Sequence, residues 1–216
     1  MPKSIAMSQP NQRPRPRIES LTDLVFGLAL SIGAISLISN KPANAEQLYT
    51  AIAGFGLSFL ILIQIWFRFT EIMSVLPVQT SATRVLNTLL LFLVALEPYL
   101  FNILGEFFVT SQQSSPFDDV ASTIYAVDIG AIYGILALFT NILATEERKL
   151  VAHDLLRKYR LSRNLEIAVA ILFFVSAIPI FWALNLRYVV WATTFFVFRG
   201  GTIVRGLRKQ SHTSRS

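Results

Sequence analysis

Six apolar stretches, each close to twenty residues and separated by short polar or charged breaks, constrain this chain more than any other feature. A helix of roughly 20 apolar residues crosses about 30 Å of hydrocarbon. The stretches are approximately residues 17–39, 47–69, 84–108, 120–143, 164–184 and 187–204 of the 216. Only 15% of residues are charged, and 53% are hydrophobic. Soluble domains carry nearer a quarter charged, so the pattern predicts an all-α membrane protein with six transmembrane helices. Residues 1–16 form a basic, proline-rich arm (Pro10, Pro14, Pro16, Arg13, Arg15). Residues 17–206 then make the transmembrane domain, and residues 207–216 make a basic tail.

The placement of lysine and arginine fixes the expected orientation. With the N-terminus inside, the inner segments hold 17 of the 19 basic residues, and only Lys41 and Arg187 fall outside. That asymmetry obeys the positive-inside rule and puts both termini in the cytoplasm of a multi-pass cell-membrane protein. The formal net charge of +6 therefore belongs to span ends, where it meets anionic lipid, and not to a nucleic-acid-binding face. A secretory signal is the competing reading of the first stretch, because Ala43-Asn44-Ala45 resembles a cleavage site. Cleavage would leave five spans and spoil the charge balance, so the stretch is expected to be retained. Residues 146–163 place Leu150, Val151, Leu155, Leu156 and Tyr159 at helical spacing. They read either as a short interfacial amphipathic helix or as a solvated inner loop.

Chemistry is sparse. There is no cysteine, which excludes thiolate catalysis and Cys-based metal sites. The two histidines lie in inner segments. No T-V-G-Y-G filter, P-loop, H-E-x-x-H or nucleophile elbow is present. The expectation is a non-enzyme without a cofactor.

Polar groups inside spans are functional candidates by default, because burial in hydrocarbon is costly. Asp23 lies one to two turns into the first span. The dipole of a helix N-terminus alone would also favour an acid there. Glu97 precedes Pro98 in the third span, and Asp128 sits in the outer half of the fourth. Both are candidates for an outer vestibule that concentrates cations, and equally for paired or interfacial positions. Asn87, Asn102 and Asn141 read as interhelical hydrogen-bond donors and acceptors. Pro98 and Pro179 read as kinks.

The first span, from Arg17 through Leu21, Thr22, Asp23, Val25, Phe26 and Leu28 to Ser31, resembles the R-x-x-x-F-S-D opening of the lysosomal-type transmembrane potassium channel family. Trp66, Asn87, Leu90, Pro98, Gly105, Glu106, Tyr125 and Ala126 extend the resemblance over about two thirds of the chain. The last two spans agree only in length and order. Leu21 and Thr22 stand where the family has Phe and Ser, and Thr22 keeps a hydroxyl. Arg68 lies where family members often carry histidine, which implies a rewired polar network of Arg17, Thr22, Asp23, Trp66 and Arg68.

The resemblance implies a homotetrameric channel for monovalent cations, with potassium as the permeant ion and no carbonyl filter. It implies a pore lined by the first helix at Leu28, Ser31 and Ile35, five, eight and twelve residues after Asp23. Those spacings share one helix face. Leu28 and Ile35 would be apolar constrictions that gate by dewetting, and Ser31 would supply hydroxyls. Two rival readings are a small ion- or proton-coupled transporter working through Glu97 and Asp128, and a non-conducting scaffold whose basic segments bind lipid or a partner.

Overall fold

The computed structural model describes residues 17–39, 42–76, 80–109, 116–145, 153–178, 180 and 191. These residues are helical, with short turns between, and contain no strand. The helices are α1 (Arg17–Ser39), α2 (Ala45–Val75), α3 (Ser81–Val109), α4 (Pro116–Ala144) and α5 (His153–Ser176). At about 1.5 Å per residue, α2, α3 and α4 each exceed 40 Å, more than a bilayer core. Ala45–Val75, Ser81–Leu104 and Asp119–Ala144 are each long and apolar enough to cross a membrane, and Ser20–Ile35 is a shorter apolar helix. The sixth expected span lies outside the described residues, save for Trp191. So do the basic arm and the tail.

Local sequence explains where the helices begin. Asn44 caps α2: its side chain accepts from the Gln47 N–H at 2.8 Å, and the Gln47 side chain accepts from the Ala43 N–H at 2.8 Å. This reciprocal pairing satisfies one N–H of the first helical turn, that of Gln47, and the Ala43 N–H just before the cap. Glu46 in the first turn adds a favourable interaction with the helix dipole. Thr80 starts α3 in the same way, its Oγ1 accepting from the Thr83 N–H at 3.2 Å.

Helix α4 is the centre of the bundle. It packs against α2, α3 and α5, and buries Tyr125, Ala126, Ile129, Ile132, Tyr133, Leu136, Phe139 and Leu143. Helix α1 packs on α2 and α3 at one side. Phe26 of α1, Phe69 of α2 and Phe139 of α4 form a row, with ring centroids 6.3 Å and 6.2 Å apart. Gly130 lets α5 approach α4 closely: a Cβ there would lie 3.2–3.3 Å from the Phe174 ring. Apolar side chains gain nothing by leaving lipid for one another, so such close packing and hydrogen bonds hold the helices together.

Two expectations are sharpened. The amphipathic stretch is neither a separate interfacial helix nor a loop from residue 153 onward, because His153–Ser176 is one unbroken helix. Its polar first turns are continuous with the apolar stretch expected as the fifth span. Helix α3 continues through Pro98 to Val109, although Pro98 has no N–H for the carbonyl one turn earlier.

Candidate functional site

Helix α1 has two unlike faces. Thr22, Phe26 and Ala29, spaced four and three residues apart, are buried against the rest of the subunit. On the other side Leu24, Leu28, Ile32 and Ile35 are exposed, Leu28 at 55% and Ile35 at 57%. Ser31 and Asp23 are exposed on the same helix. Apolar exposure alone is what any lipid-facing helix shows. The face of Leu28 and Ile35 also carries the Ser31 hydroxyl, whereas Asp23 lies about 140° around the helix from Leu28. The Ser31 hydroxyl donates to the Gly27 carbonyl at 2.8 Å. Its lone pairs are thereby left to accept, the arrangement a passing cation needs.

The expected polar network is split in two. Trp66 and Asp23 meet: the Trp66 Nε1–H donates to Asp23 Oδ1 at 3.0 Å, tying the inner part of α2 to α1. Thr22 is buried beside them at 1% exposure. Arg68 joins a different set. Its guanidinium donates to Glu166 of α5, with Nε at 3.2 Å, and forms a second ion pair with Glu71. Glu71 also pairs with Lys158 at 2.6 Å. Side chains two positions apart on a helix point to different sides, so Trp66 and Arg68 serve different neighbours. The Arg17 side chain lies outside the described residues.

Glu166 is a site residue that sequence reasoning missed. It is fully buried, near the middle of α5, and is the charge complement of Arg68. An arginine toward the end of one apolar stretch and a carboxylate at the start of another were the signal available.

Glu97 and Asp128 are not on an open outer surface of the subunit. They are 0% and 3% exposed, inside the bundle. Both Glu97 oxygens accept from the Ser58 hydroxyl of α2 at 3.1 Å. A vestibule requires side chains that water reaches, and within the bundle these two have exchanged water for helix neighbours.

The backbone arrangement is shared with known proteins. Across 93% of this chain and 96% of the other, the structure superposes on a variant of the potassium channel MtTMEM175 solved in complex with a nanobody–MBP fusion, with a TM-score of 0.63 at 19% identity. It also superposes on a lysosomal potassium-selective channel TMEM175 homolog from Chamaesiphon minutus, over 85% of this chain and 96% of that one, with a TM-score of 0.57 at 22% identity. This is the TMEM175 fold. Residues 17–98 match the family described as endosomal/lysosomal potassium channel TMEM175, so the TMEM175 likeness in sequence is concentrated in α1, α2 and most of α3. That segment holds Asp23, Trp66 and the two-faced helix. No curated protein sequence matches the chain.

Proposed function

We propose that this protein is a cation channel of the cell membrane that favours potassium, assembled as a homotetramer with α1 of each subunit lining the pore. The observation that carries the reading is the two-faced α1, placed within a TMEM175-like segment. Its buried face is committed to the subunit. The opposite face presents Leu28, Ser31 and Ile35 in one line over roughly 10 Å. Four copies around an axis would stack a Leu28 ring, a hydroxyl ring from Ser31 and an Ile35 ring. Narrow apolar rings shed water and close the path, and widening them lets it rewet. Ser31 oxygens, their protons engaged by Gly27, replace part of the hydration shell of a dehydrated cation. Because the carbonyl filter of conventional potassium channels is absent from the sequence, discrimination between potassium and sodium must come from the cost of dehydration at these rings.

The Asp23–Trp66 bond fits this reading as an anchor for the inner mouth. Asp23 lies about 8 Å along the helix on the inner side of Leu28. Four such carboxylates would raise the local cation concentration at the entrance, while the indole holds each in place.

Recording from purified protein in planar bilayers tests the proposal. The expected result is a cation current whose reversal potential shifts toward the potassium equilibrium value under bi-ionic potassium and sodium. Leu28→Ala and Ile35→Ala should each raise the current by widening a constriction. Absence of current, or a current indifferent to both substitutions, rejects the pore assignment.

A further inference from the structure

The buried carboxylates Glu97 and Asp128 have no part in the proposed pore, and neither has an ion-pair partner among the described residues. Three helices bring them to one level. Glu97 lies twelve residues before the outer end of α3, Asp128 twelve residues after the outer start of α4, and Ser58 thirteen residues after the outer start of α2. Phe101, one turn beyond Glu97, packs edge-on against Tyr125, one turn before Asp128, with centroids 5.7 Å apart. The α3 and α4 faces that carry the two acids are therefore in contact. The two carboxylates lie within electrostatic reach of each other, and the Tyr125 oxygen lies within reach of both.

These oxygens are short of partners. Both oxygens of Asp128 and the fully buried Tyr125 hydroxyl have no hydrogen bond among the described residues. Glu97 has only Ser58. None of the ion pairs among the described residues involves either acid. Buried polar groups are otherwise almost always satisfied, and each exception calls for a ligand or another explanation. The set is made of oxygens alone, two of them carboxyl groups and the rest hydroxyls. Hard cations choose such ligands. Among the described residues no group of three or more Asp, Glu, His or Cys could hold a metal ion, so hydroxyls have to complete the site.

The geometry points to an intrasubunit site for one hard cation, sodium or calcium in character, held by Glu97 and Asp128 with Ser58 and Tyr125 and separate from the conduction path. Calcium would balance both carboxylates, and sodium would balance one while the other keeps its proton; either ion would clamp α2, α3 and α4 at one level. The site stands whether or not the chain conducts.

Thermal unfolding of the purified full-length protein in detergent tests it. Ionic strength is held constant, and N-methylglucamine chloride is exchanged for sodium or potassium chloride, or supplemented with calcium chloride. Wild type should show a saturable rise in Tm of several degrees with sodium or with calcium, and the ion that works identifies the occupant. Asp128→Asn and Glu97→Gln should abolish the rise. Tyr125→Phe should weaken it at least severalfold in the concentration required. Ser31→Ala should retain it, which separates this site from ions held in the pore. Infrared difference spectra of the wild type on cation exchange supply a readout that needs no variant: the protonated-carboxyl band should fall as cation binds. A Tm that no cation raises, a rise that survives in Asp128→Asn, or a protonated-carboxyl band that responds to pH and to no cation overturns the inference.

Discussion

Arg68 shows how much a single side chain can decide in an apolar bundle. It is 19% exposed, Glu166 is 0% exposed, and the two pair across α2 and α5 through Glu166 Oε1. Removing one member of such a pair leaves a buried charge uncompensated, a cost of about 3–5 kcal/mol, whereas replacing both by apolar groups of similar volume is often neutral. Arg68→Met should therefore lower Tm strongly, and the double variant Arg68→Met with Glu166→Leu should recover most of the loss. The Lys158–Glu71 pair provides the contrast. Lys158 is 49% exposed, and pairs of that kind contribute only about 0–1 kcal/mol, so Lys158→Ala should barely move Tm. Trp66→Phe removes the indole N–H from Asp23 and keeps an aromatic ring in the position. Its expected cost is about 1 kcal/mol, the net worth of an accessible hydrogen bond. All four variants can be compared by thermal unfolding in one detergent, and equal losses in the single Arg68 variant and the double variant would show that the pair is not coupled.

At the scale of helices, the sequence is legible wherever one element answers to one local signal. Apolar run length and basic flanks locate α1 to α4, since a membrane demands both. The extent of α5 is less legible. Its first turns carry Arg157, Lys158, Arg160 and Arg163, and hydropathy alone cannot tell a loop from the aqueous end of a long helix. Partner choice is the least legible. Sequence similarity groups Arg68 with Asp23 because the two share one region of it, but a rotation of about 200° for two residues sends Trp66 to α1 and Arg68 to α5. Glu166 carries no signal of its own, because a single acid in a span start has no meaning until its partner helix is known. Close helix approach is equally hidden. Gly130 should reveal itself on substitution: Gly130→Val meets Phe174 and should cost about 1–3 kcal/mol through overpacking. Gly134, on the same helix, has nothing within 4 Å of the point where an added Cβ would sit, so Gly134→Ala should be neutral or slightly stabilising, by up to about 1 kcal/mol. Circular dichroism melts of the two variants check the contrast.

For the whole molecule, the question is what covers the exposed face of α1, and the answer separates a pore from lipid. Both surroundings accept Leu28 and Ile35, so burial in one subunit does not discriminate between them. Water does. A cysteine facing a pore ionises and reacts with charged, water-soluble thiol reagents, while one facing hydrocarbon or packed protein stays protonated and unreactive. The chain contains no cysteine, so single introduced thiols are read without background. Leu28→Cys, Ser31→Cys and Ile35→Cys should react with a charged methanethiosulfonate, and modification should block the current. Phe26→Cys and Ala29→Cys, on the buried face, should stay unmodified under the same exposure. The proposed homotetramer predicts that oxidation of the Leu28→Cys, Ser31→Cys and Ile35→Cys variants cross-links neighbouring copies, because equivalent residues near its axis would lie close together. Cross-linking without reagent access would place α1 at a dry subunit interface. Access confined to Ser31→Cys would limit the wetted path to one level. Reaction at 28, 31 and 35 with protection at 26 and 29 is the pattern that a pore lined by α1 requires.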